Sequence, residues 1–204
     1  MTKIFTNLKT LEMYLLVGII VPVTINAFSN PAVKRYFIAS AGPEFIAQID
    51  VIEQALSLLL VAICLFKRTI PLFIKAYLPM SILAIALSFT VAILGPEYIE
   101  ARFYIKALTS AIVLTIIKQG QQTYICQLWT GNDMRDLGNK LTLSSGLSVI
   151  IGAGIATQWI SCFSIDELLW VNAIVTLISM IFNYILFRAM RSIVIKQNNG
   201  QDVI

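Results

Sequence analysis

The stretch Ile70–Leu94, IPLFIKAYLPMSILAIALSFTVAIL, carries one charged side chain, Lys75, in 25 residues. A crossing helix needs about 20 mainly apolar residues to traverse roughly 30 Å of hydrocarbon, so this run predicts a transmembrane helix. Outward from it, five further stretches meet the same requirement: Leu11–Phe28, Phe45–Phe66, Phe103–Leu128, Leu141–Ile160 and Leu168–Phe187. They predict an all-α polytopic membrane protein, one six-helix bundle over residues 1–204. Turn signals at Ser29-Asn30-Pro31, Gly42-Pro43, Gly95-Pro96 and Gly131-Asn132-Asp133 separate the runs. Composition agrees: 58% hydrophobic and 13% charged residues, with a mean hydropathy of +0.82, lie outside the globular balance, in which roughly a quarter of residues are charged.

The basic residues orient the bundle, because positive charge in short loops is retained in the cytoplasm. With both termini placed inside, Lys3, Lys9, Lys67, Arg68, Lys75, Arg135, Lys140, Arg188, Arg191 and Lys196 fall on the cytoplasmic side. Lys34, Arg35, Arg102 and Lys106 fall outside, and Lys118 remains within a span. The expected location is a bacterial cytoplasmic membrane. Ala39-Ser40-Ala41 resembles a signal-peptidase site, but it lies more than ten residues beyond the first apolar run, so the segment is expected to stay. The net charge of +4 is dispersed instead of forming a stripe, which argues against nucleic acid and for topology with a minor attraction to anionic lipid. Cys64, Cys126 and Cys162 form no spaced framework, so no structural disulfide is expected. The chain after Arg191 is expected to be short and loose.

Two spans carry polar residues that need explaining. In the fourth, a helix from Tyr104 to Trp129 places both rings at the interfaces and Lys118 well inside, with Gln119 and Gln122 on a patch at helical spacing. Such residues face a cavity, because exposure to lipid costs on the order of 2–3 kcal/mol; the competing account has Lys118 snorkelling to the headgroups. In the second, Asp50 and Glu53 stand three apart, extended by Gln54 and Ser57. From Phe45, Glu53 lies about 12 Å deep and Asp50 about 7 Å. Glu53 is the candidate proton-responsive group, its carboxyl expected to titrate higher on burial. A structural pair with Lys106 is the competing account for Asp50.

Other polar stripes read as assembly features. Ser148, Gly152 and Ala156 form a small-xxx-small track that lets helix backbones approach, and Asn172, Thr176, Ser179 and Asn183 recur on the sixth span as interhelical hydrogen-bonding groups. Pro22 and Pro79 are expected to bend their helices, and Asn26, one turn after Pro22, joins the substrate-path candidates. The chain has no histidine, no phosphate-cradling Gly-x-x-x-x-Gly-Lys loop and no Gly-x-Gly-Asp run. Neither an enzyme nor a cofactor or metal is expected.

The segment from the fourth to the fifth span resembles the amino-terminal half of a major facilitator superfamily transporter. In that family the fourth helix often carries Arg-x-x-Gln-Gly, followed by a short loop with an Arg near a Gly and a glycine-rich fifth helix. Here Gln119-Gly120 matches the pair, Arg135 and Gly138 fit the loop, and Gly146, Gly152 and Gly154 supply the small residues. Ile116 stands where the family arginine would be, with Lys118 two positions on, and Lys67-Arg68 retains part of the basic loop between spans two and three. The resemblance implies a substrate path near the midplane, alternating access, and Lys67, Arg68 and Arg135 as gating-loop candidates. Family members normally carry twelve spans, so a homodimer or a second membrane subunit is implied, with the bilayer and a small-molecule substrate as further partners. The alternative is a non-transporting interaction protein, such as a bacteriocin-immunity, exclusion or accessory subunit, whose polar residues join helices.

Overall fold

The computed structural model describes residues 8–66, 70–113, 118–159 and 162–198. They form seven α-helices and one 3₁₀ turn, and no strand occurs among them: α1 Leu8–Ala41, α2 Pro43–Phe66, α3 Ile70–Ile93, the turn Pro96–Tyr98, α4 Ile99–Ile112, α5 Lys118–Leu128, α6 Gly131–Trp159 and α7 Ile165–Asn198. Among the described residues, three helical segments are long and apolar enough to cross a membrane: Leu8–Ser29, Lys75–Ile93 and Ile165–Lys196.

The second and third apolar runs become α2 and α3 nearly as bounded in the sequence. Gly42, at φ +86°, makes the reversal between α1 and α2, and Pro43 opens α2, where its missing N–H costs nothing. Pro79 lies within α3. Elsewhere the helices depart from expectation. The turn expected at Ser29-Asn30-Pro31 is absent, and α1 continues for 34 residues, about 51 Å at 1.5 Å each. The continuation places Val33 in an apolar cluster with Phe103, Ala107, Leu168 and Leu169, so packing overrides the local turn chemistry.

The loop expected around Arg135 is also helix, since α6 begins at Gly131, whose φ of +57° turns the chain after α5. Met134, Leu137 and Leu141 recur at three and four residues and face the cluster built by α5 and α7, and Asp133 suits the positive end of the helix dipole. At the other end of the chain the expected loose tail after Arg191 is helical to Asn198, because Ile193 and Val194 are buried in the same cluster. The fourth run is described as two segments, α4 and α5, flanking residues 114–117.

Helix packing follows an exchange pattern. The most extensive contacts are α1 on α6 and α7, α4 on α2 and α3, and α3 on α7. Exchanging α1 with α4, α2 with α6 and α3 with α7 maps this set onto itself. No such repeat is evident in the residues. Close approach has a local cause at two glycines. A Cβ on Gly152 would collide with the Thr24 carbonyl oxygen of α1, and one on Gly120 would lie 2.8 Å from the Tyr77 ring. Between apolar helices in lipid, such van der Waals fit and hydrogen bonding drive association, since there is little hydrophobic gain.

Candidate functional site: a basic groove and a buried arginine on α3 and α7

The pair α3 and α7 runs antiparallel: the start of α3 meets the end of α7 at one end, and the end of α3 meets the start of α7 at the other. On α7, Tyr184, Arg188, Arg191 and Ile195 are spaced by four, three and four residues, which places them on one stripe. On α3, Lys75 and Leu78 are one turn apart. Together with Phe187 and Lys196 they line an open groove of about 600 Å³. The Phe187 ring stacks on Tyr77 at 3.9 Å and meets Tyr124 edge-on at 5.2 Å, so the apolar wall is fixed from behind. Lys75, Arg188, Arg191 and Lys196 are exposed. Among the described residues the groove lining contains no carboxylate.

At the opposite end the charge is enclosed. Arg102 of α4, expected in an outer loop, is 1% exposed. Its Nη2 donates to the Leu94 carbonyl oxygen, just past the end of α3, and to Asp166 Oδ1 at 3.1 Å in the first turn of α7. The break at Gly95-Pro96 leaves carbonyls at the end of α3 without a helical partner, and the guanidinium satisfies one of them. Nη1 and Nε have no partner among the described residues. A capping box begins α7: Ser164 N donates to Glu167 Oε2 at 2.7 Å, and Glu167 N donates to Ser164 Oγ at 3.3 Å. Arg102 thus joins three helices at one point.

The substrate-path candidates fall on α1, α2 and α5. Lys67 and Arg68 lie outside the described residues. Asp50 and Glu53 belong to α2, and Lys118 and Gln119 open α5, but the surroundings of these four side chains lie outside what is described. In backbone terms α2 packs on α4, the helix of Lys106, while α5 packs on α7 and α3. Asn26 and Gln122, expected to face the interior, are exposed on the outside of this single chain. Gln122 Nε2 lies 3.6 Å from Cys126 Sγ, one turn along its own helix. Arg135 is exposed on α6.

The interior position belongs to Gln121, which sequence reasoning passed over. Its Nε2 donates to Asn183 Oδ1 at 2.9 Å, joining α5 to α7. The neighbouring Gly120, tight against Tyr77, was the available signal, because it marks the face of α5 that approaches the bundle. A second bridge joins α1 to α7, where Ser29 Oγ donates to Asn172 Oδ1 at 2.7 Å. Thr176 Oγ1 donates to the Asn172 carbonyl at 2.8 Å, and Ser179 is buried. Ser148 and Ala156 are buried on either side of Gly152, and Ser148 Oγ donates to Ser144 O at 2.7 Å within α6. Across the surface between α6 and α1, Lys140 Nζ donates to Glu12 Oε1 at 2.6 Å, a contact that raises the Lys140 pKa. No group of three His, Cys, Asp or Glu residues suited to a metal occurs among the described residues.

Comparison with family models, with characterised proteins and with solved structures finds no match to this chain.

Proposed function

We propose that the chain is a half-size membrane carrier, or the six-span subunit of one, for a small solute. The observation that supports this reading best is the exchange pattern of helix packing, in which α1, α2 and α3 correspond to α4 with α5, α6 and α7. Repeats of three crossings run in opposite directions through a bilayer, and inverted repeats of this kind build many secondary transporters, with the substrate between them near the midplane. The six-span threading, cytoplasmic termini and bacterial inner-membrane location belong to the same proposal. Asn26 and Gln122, exposed on the single chain, are then reached by a second copy or a partner subunit that completes the path. Glu53 and Asp50 respond to protons, and Lys118 and Gln119 contact solute.

A second reading, a non-transporting interaction subunit, is favoured by the pairing of Asn172 with Ser29 and Asn183 with Gln121. These polar groups are consumed in joining helices. Single Glu53→Cys and Lys118→Cys variants, in a background with Cys64, Cys126 and Cys162 replaced, separate the readings when treated with a small membrane-impermeant thiol reagent from each side. Labelling of both positions is the expected result for a carrier. Protection of both in folded protein would remove the aqueous path and leave the interaction role.

A further inference from the structure

We infer that the groove between the start of α3 and the end of α7 is a binding site for the phosphate headgroup of an anionic phospholipid. This inference concerns a surface outside the proposed solute path and holds whether or not the protein transports. Four cations, Lys75, Arg188, Arg191 and Lys196, converge from two helices on one open cavity whose lining, among the described residues, holds no carboxylate. Among the described residues none of the four forms an ion pair. Held together they repel one another, and an anion seated among them reverses that cost. Guanidinium groups suit phosphate because their planar donors engage two oxygens at once.

Two observations select a lipid over a free phosphate ion. The same groove is lined by apolar side chains, of which Leu78 and Ile195 are 44% and 47% exposed; a free ion has no use for them, whereas the glycerol and first methylenes of a lipid do. The cations of α7 also follow its apolar run: Arg188, Arg191 and Lys196 come directly after Leu168–Phe187. They therefore lie toward the headgroups when that helix crosses. The cavity, about 600 Å³, is of the size that holds small-molecule ligands.

The test is native mass spectrometry of the full chain released from micelles containing equal amounts of phosphatidylglycerol and phosphatidylcholine. The wild type is expected to retain phosphatidylglycerol preferentially. Arg191→Gln should reduce that preference roughly fivefold, and Arg188→Gln/Arg191→Gln should abolish it. The variant Arg35→Gln/Arg135→Gln removes equal charge from two exposed positions outside the groove and is expected to keep the preference. An equal loss in that control would overturn the inference in favour of a diffuse positive field. Displacement of phosphatidylglycerol by millimolar inorganic phosphate would overturn it in favour of a soluble anion. The wild-type competition is decisive even if the double variant fails to fold, because absence of any preference there sinks the proposal.

Discussion

The two ends of the α3 and α7 pair treat positive charge in opposite ways. At the Gly95-Pro96 end a single arginine is sealed in and bonded to the Leu94 carbonyl and Asp166. At the other end four cations line an open groove with no carboxylate among its described residues. The difference lies in what the chain supplies nearby. Where α3 breaks, it releases carbonyl acceptors, and the capped start of α7 brings a carboxylate to the same point. Near the end of α7 the groove lining gains three cations and, among the described residues, no carboxylate. The same side-chain chemistry therefore acts as an internal strut at one end and, in our reading, as a receptor at the other.

The largest expected effect comes from breaking the strut. Arg102→Ala should cost about 3 kcal/mol, since it removes charged hydrogen bonds and leaves a void. The check is the unfolding midpoint in mixed micelles on addition of dodecyl sulfate; an unchanged midpoint would mean that Leu94 and Asp166 are satisfied without the guanidinium. Asp166, 58% exposed in its side chain, is a weaker partner, and Asp166→Asn should cost less than about 1 kcal/mol.

Next in size is Gly120→Val. Its Cβ would press on the Tyr77 ring, and overpacking of this kind costs about 1–3 kcal/mol. Because Tyr77 supports Phe187 in the groove wall, phosphatidylglycerol preference should fall in the same variant, while the Arg102 end is unaffected. Retained preference alongside lost stability would separate the wall from the site. Gln121→Leu should cost about 0.6 kcal/mol, the average for an interhelical hydrogen bond in a membrane protein. A double-mutant cycle with Asn183→Leu measures the coupling directly.

The smallest stability effect belongs to the groove itself. Arg188→Gln/Arg191→Gln should stay within about 0.5 kcal/mol of wild type, because exposed side chains without ion pairs contribute little to folding. A fall of the midpoint comparable to that of Arg102→Ala would erase the contrast between the two ends.

Much of the helical architecture was legible because it rests on local quantities. Runs of apolar residues bounded by Gly42-Pro43 and Gly95-Pro96 located α2 and α3. The same logic failed at Ser29-Asn30-Pro31, which lies within α1, and although Gly131 does turn the chain, the next helix starts there and not at Leu141; the buried positions Val33 and Leu137 hold both stretches in helical register. Among site residues, helical spacing grouped Gln119 with Gln122, and that spacing is real. It carries no information on which side of α5 meets α7, and the neighbouring Gln121 is the residue that bonds there. Asn26 fails as an interior residue for the same reason, with Ser29 making the interhelical bond instead.

By itself the sequence determined that this is an all-helical chain with membrane-competent segments, that it lacks histidine chemistry, and which residues are charged or small. Those properties follow from composition and from the fixed rise and period of a helix. Only the tertiary structure decided the exchange pattern of packing, the enclosure of Arg102, and the convergence of Lys75 with Arg188, Arg191 and Lys196 from positions more than 100 residues apart. Periodicity fixes the angles between side chains on one helix. The direction in which that helix is turned, and which neighbour receives it, is set by the fit of all the helices together.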